Sequence, residues 1–235
     1  VAGSTLRVLS IGLGGASLTV TSGFSNNGLV ELTSNTANGV SMTVNGTLLN
    51  AEGSTISVLS GQGGTRTLTT QLDNRGTVTI SAGVGLTLNG AGFDHSNAGT
   101  INVVGGNLAV AQSGTTPSFT NTSAATFDGA GVMSLSGVNP ANFGAAPTLA
   151  ALTLSSTVAG FLVDINTATA GTLTIQGGTL NGPGTITNAS GRTLALTSGT
   201  INTPLSNEGT VHVIGASALN GVLTTSTGSV LRAQS

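Results

Sequence analysis

The chain has 235 residues, of which 37 are Gly and none is Lys, Cys, Trp or Tyr; five Arg and seven acids leave a formal net charge of −2. Charged residues make up 5% of it, against about 25% in an average protein, yet the 38% apolar content is enough to build a core and excludes charge-driven disorder. Arg7, Arg66, Arg75, Arg192 and Arg232 are scattered along the chain, which speaks against a phosphate-tracking surface and so against a nucleic-acid partner, and the lack of Cys excludes disulfides and thiolate metal sites.

No window gathers Ala, Leu, Glu and Arg at helical spacing, and Gly, Thr, Ser and Asn break every apolar run within a few residues, so the chain reads as short strands and turns. An outer-membrane barrel would need aromatic girdles, which a chain without Trp and Tyr cannot supply. Val1 to Val20 reads as strand and turn with Val8, Ile11, Leu13 and Leu18 as its apolar positions. There follows the unit Phe24-Ser25-Asn26-Asn27-Gly28-Leu29-Val30-Glu31-Leu32, which returns as Leu72-Asp73-Asn74-Arg75-Gly76-Thr77-Val78-Thr79-Ile80, as Ser96-Asn97-Ala98-Gly99-Thr100-Ile101-Asn102-Val103, and as Leu205-Ser206-Asn207-Glu208-Gly209-Thr210-Val211-His212-Val213. Between these, the strands after Asn50, Asn166 and Asn188 must slip to bring Ile56 and Val58, Leu173 and Ile175, or Leu194 and Leu196 inward, which predicts bulges or longer corners. Asp128 to Ala150 is the least regular part. The apolar stretch Gly144 to Ile165 is interrupted by Pro147, Thr148, Thr153 and Asp164 and reads as solenoid rather than a membrane span. Val213 to Leu231 continues the coil pattern with Leu219, Leu223, Val230 and Leu231.

The template is Asn-x-Gly followed by an alternating strand. Aligned on its Asn it gives Asn26, Asn50, Asn74, Asn97, Asn121, Asn142, Asn166, Asn188 and Asn207, with steps of 24, 24, 23, 24, 21, 24, 22 and 19 residues. A repeat this short cannot enclose its own apolar face, so successive repeats must stack. The expected fold is all-β: one parallel β-helix over residues 1–235, right-handed as parallel crossovers are, of about ten coils of about 23 residues, making a rod about 48 Å long at about 4.8 Å per coil. Val30 and Leu32, Val78 and Ile80, Ile101 and Val103, and Val211 and Val213 point inward. The nine Asn are expected to point inward too, each amide bonding its equivalent one coil away. Gly28, Gly53, Gly76, Gly99 and Gly209 are expected at the corners, where positive φ is needed. Glu52 and Arg75 each precede a corner Gly in successive coils and are expected to form a surface ion pair.

Chemistry-bearing groups are few. Asp94 and His95 are sequence neighbours and lean to opposite faces of any strand; no carboxylate cluster, calcium loop or nucleophile constellation appears, so no catalytic residue, metal or cofactor is assigned. Sequons occur at Asn45, Asn121 and Asn188, two of them on the expected ladder. Thr-x-Thr pairs such as Thr77 with Thr79 and Thr172 with Thr174 suggest an ice-binding array, but Leu29, Glu31, Asn102 and His212 fall at the matching positions and break it.

The recurring Asn-x-Gly-Thr-hydrophobic-x-hydrophobic unit, as in Asn74-Arg75-Gly76-Thr77-Val78-Thr79-Ile80, resembles the repetitive β-helical surface proteins of bacteria: filamentous-haemagglutinin-like adhesins, autotransporter passengers and related extracellular fibre proteins. The resemblance covers nearly the whole chain and implies a secreted or cell-surface stalk, adhesin or fibre. Both ends read as continuing coil without a polar cap, so the chain is expected to be a piece of a longer protein or a subunit stacking head to tail. The expected function is therefore a non-catalytic extracellular structural protein that self-assembles into a filament, its partners being copies of itself and a host or neighbouring cell surface. An adhesin or autotransporter stalk is the alternative, with an ice-binding solenoid and a carbohydrate-active β-helix below it.

Overall fold

Alternation at period two puts one side of each short strand into a shared interior, and Gly or Asn every few residues turns the chain before a strand can lengthen. The outcome, in a computed structural model that describes residues 3–235, is a parallel β-solenoid of about ten turns with strands stacked about 22 residues apart. Each turn visits three faces. The first face carries Thr5–Ser10, Leu29–Ser34, Thr55–Val58, Thr77–Ile80, Thr100–Val103 and Thr126–Asp128 in one sheet. Asp128 bridges on to Thr148, and a separate four-stranded sheet, Ile165–Asn166, Ile186–Asn188, Leu205–Asn207 and Leu223–Thr225, takes the same station in the later turns. The second and third faces belong to a single 19-stranded sheet, because Val40–Asn50 and Arg66–Asn74 run unbroken around the corner between them.

The interior is a bundle of columns running along the axis. On the second face one column holds Val40, Arg66, Leu86, Leu108, Met133, Leu152, Leu173, Leu194 and Val211 in register. Val30 and Leu32, Val78 and Ile80, and Ile101 and Val103 are buried as their alternation requires, and so are Ile56, Val58, Leu173, Ile175, Leu194 and Leu196; Val213 packs against the core while partly exposed. The longer corners occur where the slip is required: Ala51–Ser54 closes a turn through the Ser54 N–H and the Ala51 carbonyl (3.0 Å), and Ala189–Arg192 does the same through Arg192 and Ala189 (3.0 Å), while a single helical turn, Thr167–Ala170, follows Asn166.

The irregular region around Asp128 to Ala150 is filled by aromatic side chains. Phe119, Phe127, Phe143 and Phe161 form a chain of tilted contacts, with ring centroids 6.5 Å apart for Phe119–Phe127, 6.0 Å for Phe119–Phe143 and 5.2 Å for Phe143–Phe161. Phe143 is completely buried and touches two of the others, so Phe143→Ala opens a cavity between coils that cannot slide to close it. The expected loss is about 3–5 kcal/mol, read as a lowered midpoint of guanidinium unfolding.

Candidate functional site

The residues with polar chemistry to offer are drawn into the corners. Asn26, Asn50, Asn74, Asn97 and Asn121 end successive third-face strands in register and are all buried. The first four amide nitrogens each donate to the amide oxygen one coil on, at 2.8 Å from Asn26 to Asn50 and 2.7 Å for the next three steps, and Asn121 donates to the Ala145 carbonyl at 3.3 Å. The remaining amide hydrogen goes to a backbone carbonyl: Thr55 for Asn26, Thr77 for Asn50, Thr100 for Asn74 and Thr126 for Asn97. The column continues past Asn121 not as Asn142 but as Phe143 and Phe161.

A second ladder stands at a different corner. Asn188 donates to Asn207 at 2.8 Å, and Thr167 sits below it, its hydroxyl 3.4 Å from the Asn188 oxygen and accepting from the Ala189 N–H at 2.9 Å. Asn188 and Asn207 close first-face strands and lead into the second face, whereas Asn74 closes a third-face strand and leads into the first. The expectation of one nine-member column is thus corrected to two columns of five and two. Asn142 lies one residue off the column, between Thr120 and Gly160 on the outward side, because Phe143 takes the interior place and a shift of one residue reverses the side chain. Asn166 is exposed and caps the helical turn, its oxygen accepting from the Ala168 N–H at 2.8 Å.

The corner glycines need correction as well. Gly28, Gly76, Gly99 and Gly209 are not in the left-handed region; a Cβ on any of them would fall on carbonyl oxygens of the neighbouring coil: Ser4 for Gly28, Ala51 and Ser54 for Gly76, Gly76 for Gly99, Ala189 and Arg192 for Gly209. Close backbone approach, rather than dihedral freedom, requires them. Gly53 has φ +76° but stands in open space, inside the longer turn; Ser54 occupies the corner place, its carbonyl accepting from Thr77 N–H (2.9 Å) as Gly76's accepts from Thr100 (2.8 Å).

The same extra residues undo the expected Glu52–Arg75 pair. Arg75 follows Asn74 as Ala51 follows Asn50, and its guanidinium turns back to Asp73, two residues earlier on the same exposed edge, at 2.7 Å; that bond holds the guanidinium above its ordinary pKa. Glu52 borders a groove of about 480 Å³ with Ser4, Asn27, Gly28 and Ser54. A pair not anticipated joins Arg7 to Glu31, register neighbours on the first face. Thr77 and Thr79 lie on the first face and Thr172 and Thr174 on the second, so these Thr-x-Thr pairs are not one array.

Among the described residues three ionisable side chains are buried: Glu31, paired with Arg7 on the first face, and, in the interior, Arg66 and His95. Arg66 is completely buried in the second-face column, and its guanidinium donates to the carbonyls of Leu59, Ser60, Gly63 and Gly64 at 2.9, 2.6, 2.6 and 3.0 Å. It ties the loop at that corner shut, and desolvation lowers its pKa. His95 points inward and Asp94 outward. The Leu72 N–H donates to His95 Nδ1 at 3.1 Å, so the proton sits on Nε2; the Gln112 side-chain nitrogen stands 2.6 Å from it, and turning that amide by 180° presents its oxygen, otherwise without a partner, to the ring N–H. Burial pushes the His95 pKa down from 6.5 to about 4, against a weaker opposing effect of Asp94. Among the described residues no three His, Cys, Asp or Glu come together as metal ligands.

One polar feature went unread in the sequence. Asn220 donates to Asn202 at 2.9 Å and Asn202 to Asn181 at 2.7 Å, an exposed ladder on the third face running opposite to the buried ones. The recurrence of Gly178-Thr179-Leu180-Asn181 as Gly199-Thr200-Ile201-Asn202 is its signal. The chain matches no protein-family model, no curated protein and no solved structure.

Replacing Asn74 by Ala leaves one amide hydrogen of Asn50 and the Asn97 oxygen without partners in a dry corner. At about 1–3 kcal/mol per orphaned group, Asn74→Ala is expected to cost about 3 kcal/mol, whereas Asn142→Ala, on the outward side, stays within about 0.5 kcal/mol. Paired chemical unfolding curves measure the contrast.

Proposed function

We propose that the chain is a non-catalytic structural rod of an extracellular or cell-surface fibre, extended by stacking of coils from one copy onto the next. The observation that supports it is the uniform parallel stacking of about ten turns, in which each internal coil is completed on both sides by coils of the same kind. Among the described residues, Thr5–Ser10, Ala16–Val20 and Phe24–Asn26 pair with the following coil, and Leu223–Thr225 and Val230–Gln234 with the preceding one. On the side away from these neighbours both coils carry the same kind of parallel strand edge that joins coil to coil inside the rod. Their inward positions continue the interior columns: Leu18 and Val20 in the first described coil, Leu223 and Leu231 in the last. A parallel edge that ends on an apolar column is completed by another coil of the same kind, and head-to-tail addition of this sort makes an open filament. The resemblance to bacterial surface fibres points the same way.

A second reading, a stalk that carries an adhesive surface, is favoured by the loops stacked at the corner between the first and second faces. Residues 11–15, 35–39 and 59–65 project there, with Ile11 and Leu13 largely or fully exposed. Sedimentation and negative-stain electron microscopy of the chain across a concentration series separate the two. Rods that lengthen with concentration, and that shorten when Leu18→Lys or Leu231→Lys places a charge on the interior column, are the expected result. A monodisperse monomer at the highest concentration overturns self-assembly and leaves the stalk.

A further inference from the structure

On the third face the interior column runs Phe24, Leu48, Leu72, His95, Phe119 and Ala141. His95, only 2% exposed, is the member of this run that can carry a charge. Its position also breaks the pattern of backbone bonding between coils. Farther along, Phe119 N–H donates to the Pro140 carbonyl at 3.0 Å; at His95 the N–H of Leu72, in the coil before, donates to the ring nitrogen Nδ1. Regular pairing between Arg66–Asn74 and Asp94–Asn97 is confined to Ser96 with Asp73 and Asn97 with Asn74. The imidazole has taken over from a main-chain carbonyl as the acceptor that holds two coils together, and it can do so only while that nitrogen is unprotonated.

The surroundings offer a cation little. From Asn107–Ser113 the ring meets the uncharged Gln112 amide, from Ser118–Asn121 it is paired in register with Phe119, and from its own turn Phe93 stands edge-on with centroids 6.3 Å apart. On Arg66–Asn74, Asp73 is engaged outside with Arg75 and Ser96, and Arg66 is held by the loop carbonyls at the far corner. Asp94 beside it is exposed, and its attraction is outweighed by burial.

We propose that His95 is an acid-sensitive latch: its protonation turns Nδ1 from acceptor to donor, releases the Leu72 N–H, drives the ring out of the interior, and opens the third face between residues 66–74 and 94–97 while the rest of the rod stays wound. The opening is bounded because the non-titrating Asn74–Asn97 and Asn97–Asn121 bonds hold the adjoining corner. A surface groove of about 450 Å³ bordered by Thr69, Asn89, Gly90, Ala111 and Gln112 adjoins the latch and gives the displaced ring an exit. The direction follows from linkage. With a folded pKa of about 4 below the ordinary 6.5, the unfolded segment binds more protons between these values, so closure is at full strength above about pH 6.5, is lost as pH falls toward 4, and changes no further below that.

Amide hydrogen exchange of the whole chain, followed by NMR at pH 7 and pH 4.5, tests it. Relative to intrinsic exchange rates, protection of the Leu72 and Gln112 amides is expected to fall at least about tenfold at the lower pH, while that of Val30 and Leu194 is retained. His95→Gln keeps an acceptor that does not titrate, and its Leu72 amide is expected to stay protected at both values. An equal fall in wild type and His95→Gln, a simultaneous loss along the whole rod, or no fall in wild type overturns the proposal. Should the variant fail to fold, the wild-type protein still decides: the carbon-13 titration of the His95 ring and the exchange of Leu72 must share one midpoint well below 6.5, and separate midpoints sink the latch. Neither outcome bears on fibre formation.

Discussion

Everything in this molecule answers to one constraint: the main-chain hydrogen bonds run along the axis, so each residue is stacked on its equivalents about 22 positions away in the coils before and after. A side chain must therefore tolerate its neighbour in the column at about 4.8 Å. Branched apolar side chains do so by packing, while like charges at that distance repel. The carboxamide is suited to the task because it carries a donor at one end and an acceptor at the other and can bond to a copy of itself indefinitely. The scarcity of charge and the abundance of Asn, Thr and Gly have this common origin. Two ionic pairs fit this: Arg7 stacks on Glu31 in the next coil, and Arg75 turns back to Asp73 two residues earlier.

The constraint also explains how the rod changes character midway. Five stacked amides come to a stop at Asn121, and the column passes to Phe143 and Phe161, which need no polar partner. Across these aromatic coils no amide at that corner must be matched, and the chain resumes its amide stacking at the next corner round, through Thr167, Asn188 and Asn207. Circuits shorten at the same time: the equivalent amides are 24 residues apart at Asn26–Asn50 and 19 apart at Asn188–Asn207.

How much of this was legible in the sequence depends on the range over which each feature is encoded. The alternation in Thr77-Val78-Thr79-Ile80 is local, and it places Val78 and Ile80 inside without reference to anything else. The Asn-x-Gly corner is local too, but it specifies only that a corner exists. Asn74-Arg75-Gly76-Thr77 and Asn207-Glu208-Gly209-Thr210 are nearly the same words, yet they join different pairs of faces, because which corner is meant is settled by counting strands from the preceding coils. Asn142 fell out of the ladder for a related reason, since the choice between it and Phe143 is made by what fills the space beside Phe119 and Phe161. Glu52 and Arg75 were set together by matching glycines, when the length of the turn, Ala51–Ser54 against Arg75–Gly76, decides what lies over what. His95 was visible as inward-facing, but Gln112 arrives 17 residues later from the following coil, beyond the reach of any local pattern.

The glycine corners set a rule for how such a chain can change. At Gly76 and Gly99 the neighbouring carbonyls leave no volume for even one methyl group, so ordinary point replacement is closed to them. Between Asn50 and Thr55 the chain escapes differently: two additional residues carry the main chain outward, Ser54 stands where its counterparts must be Gly, and the stacked strands on either side keep their alignment. Variation at these bends thus proceeds by length rather than by identity, and the Asn50–Thr55 bend marks a site where a foreign peptide could be spliced into the rod without disturbing the winding on either side.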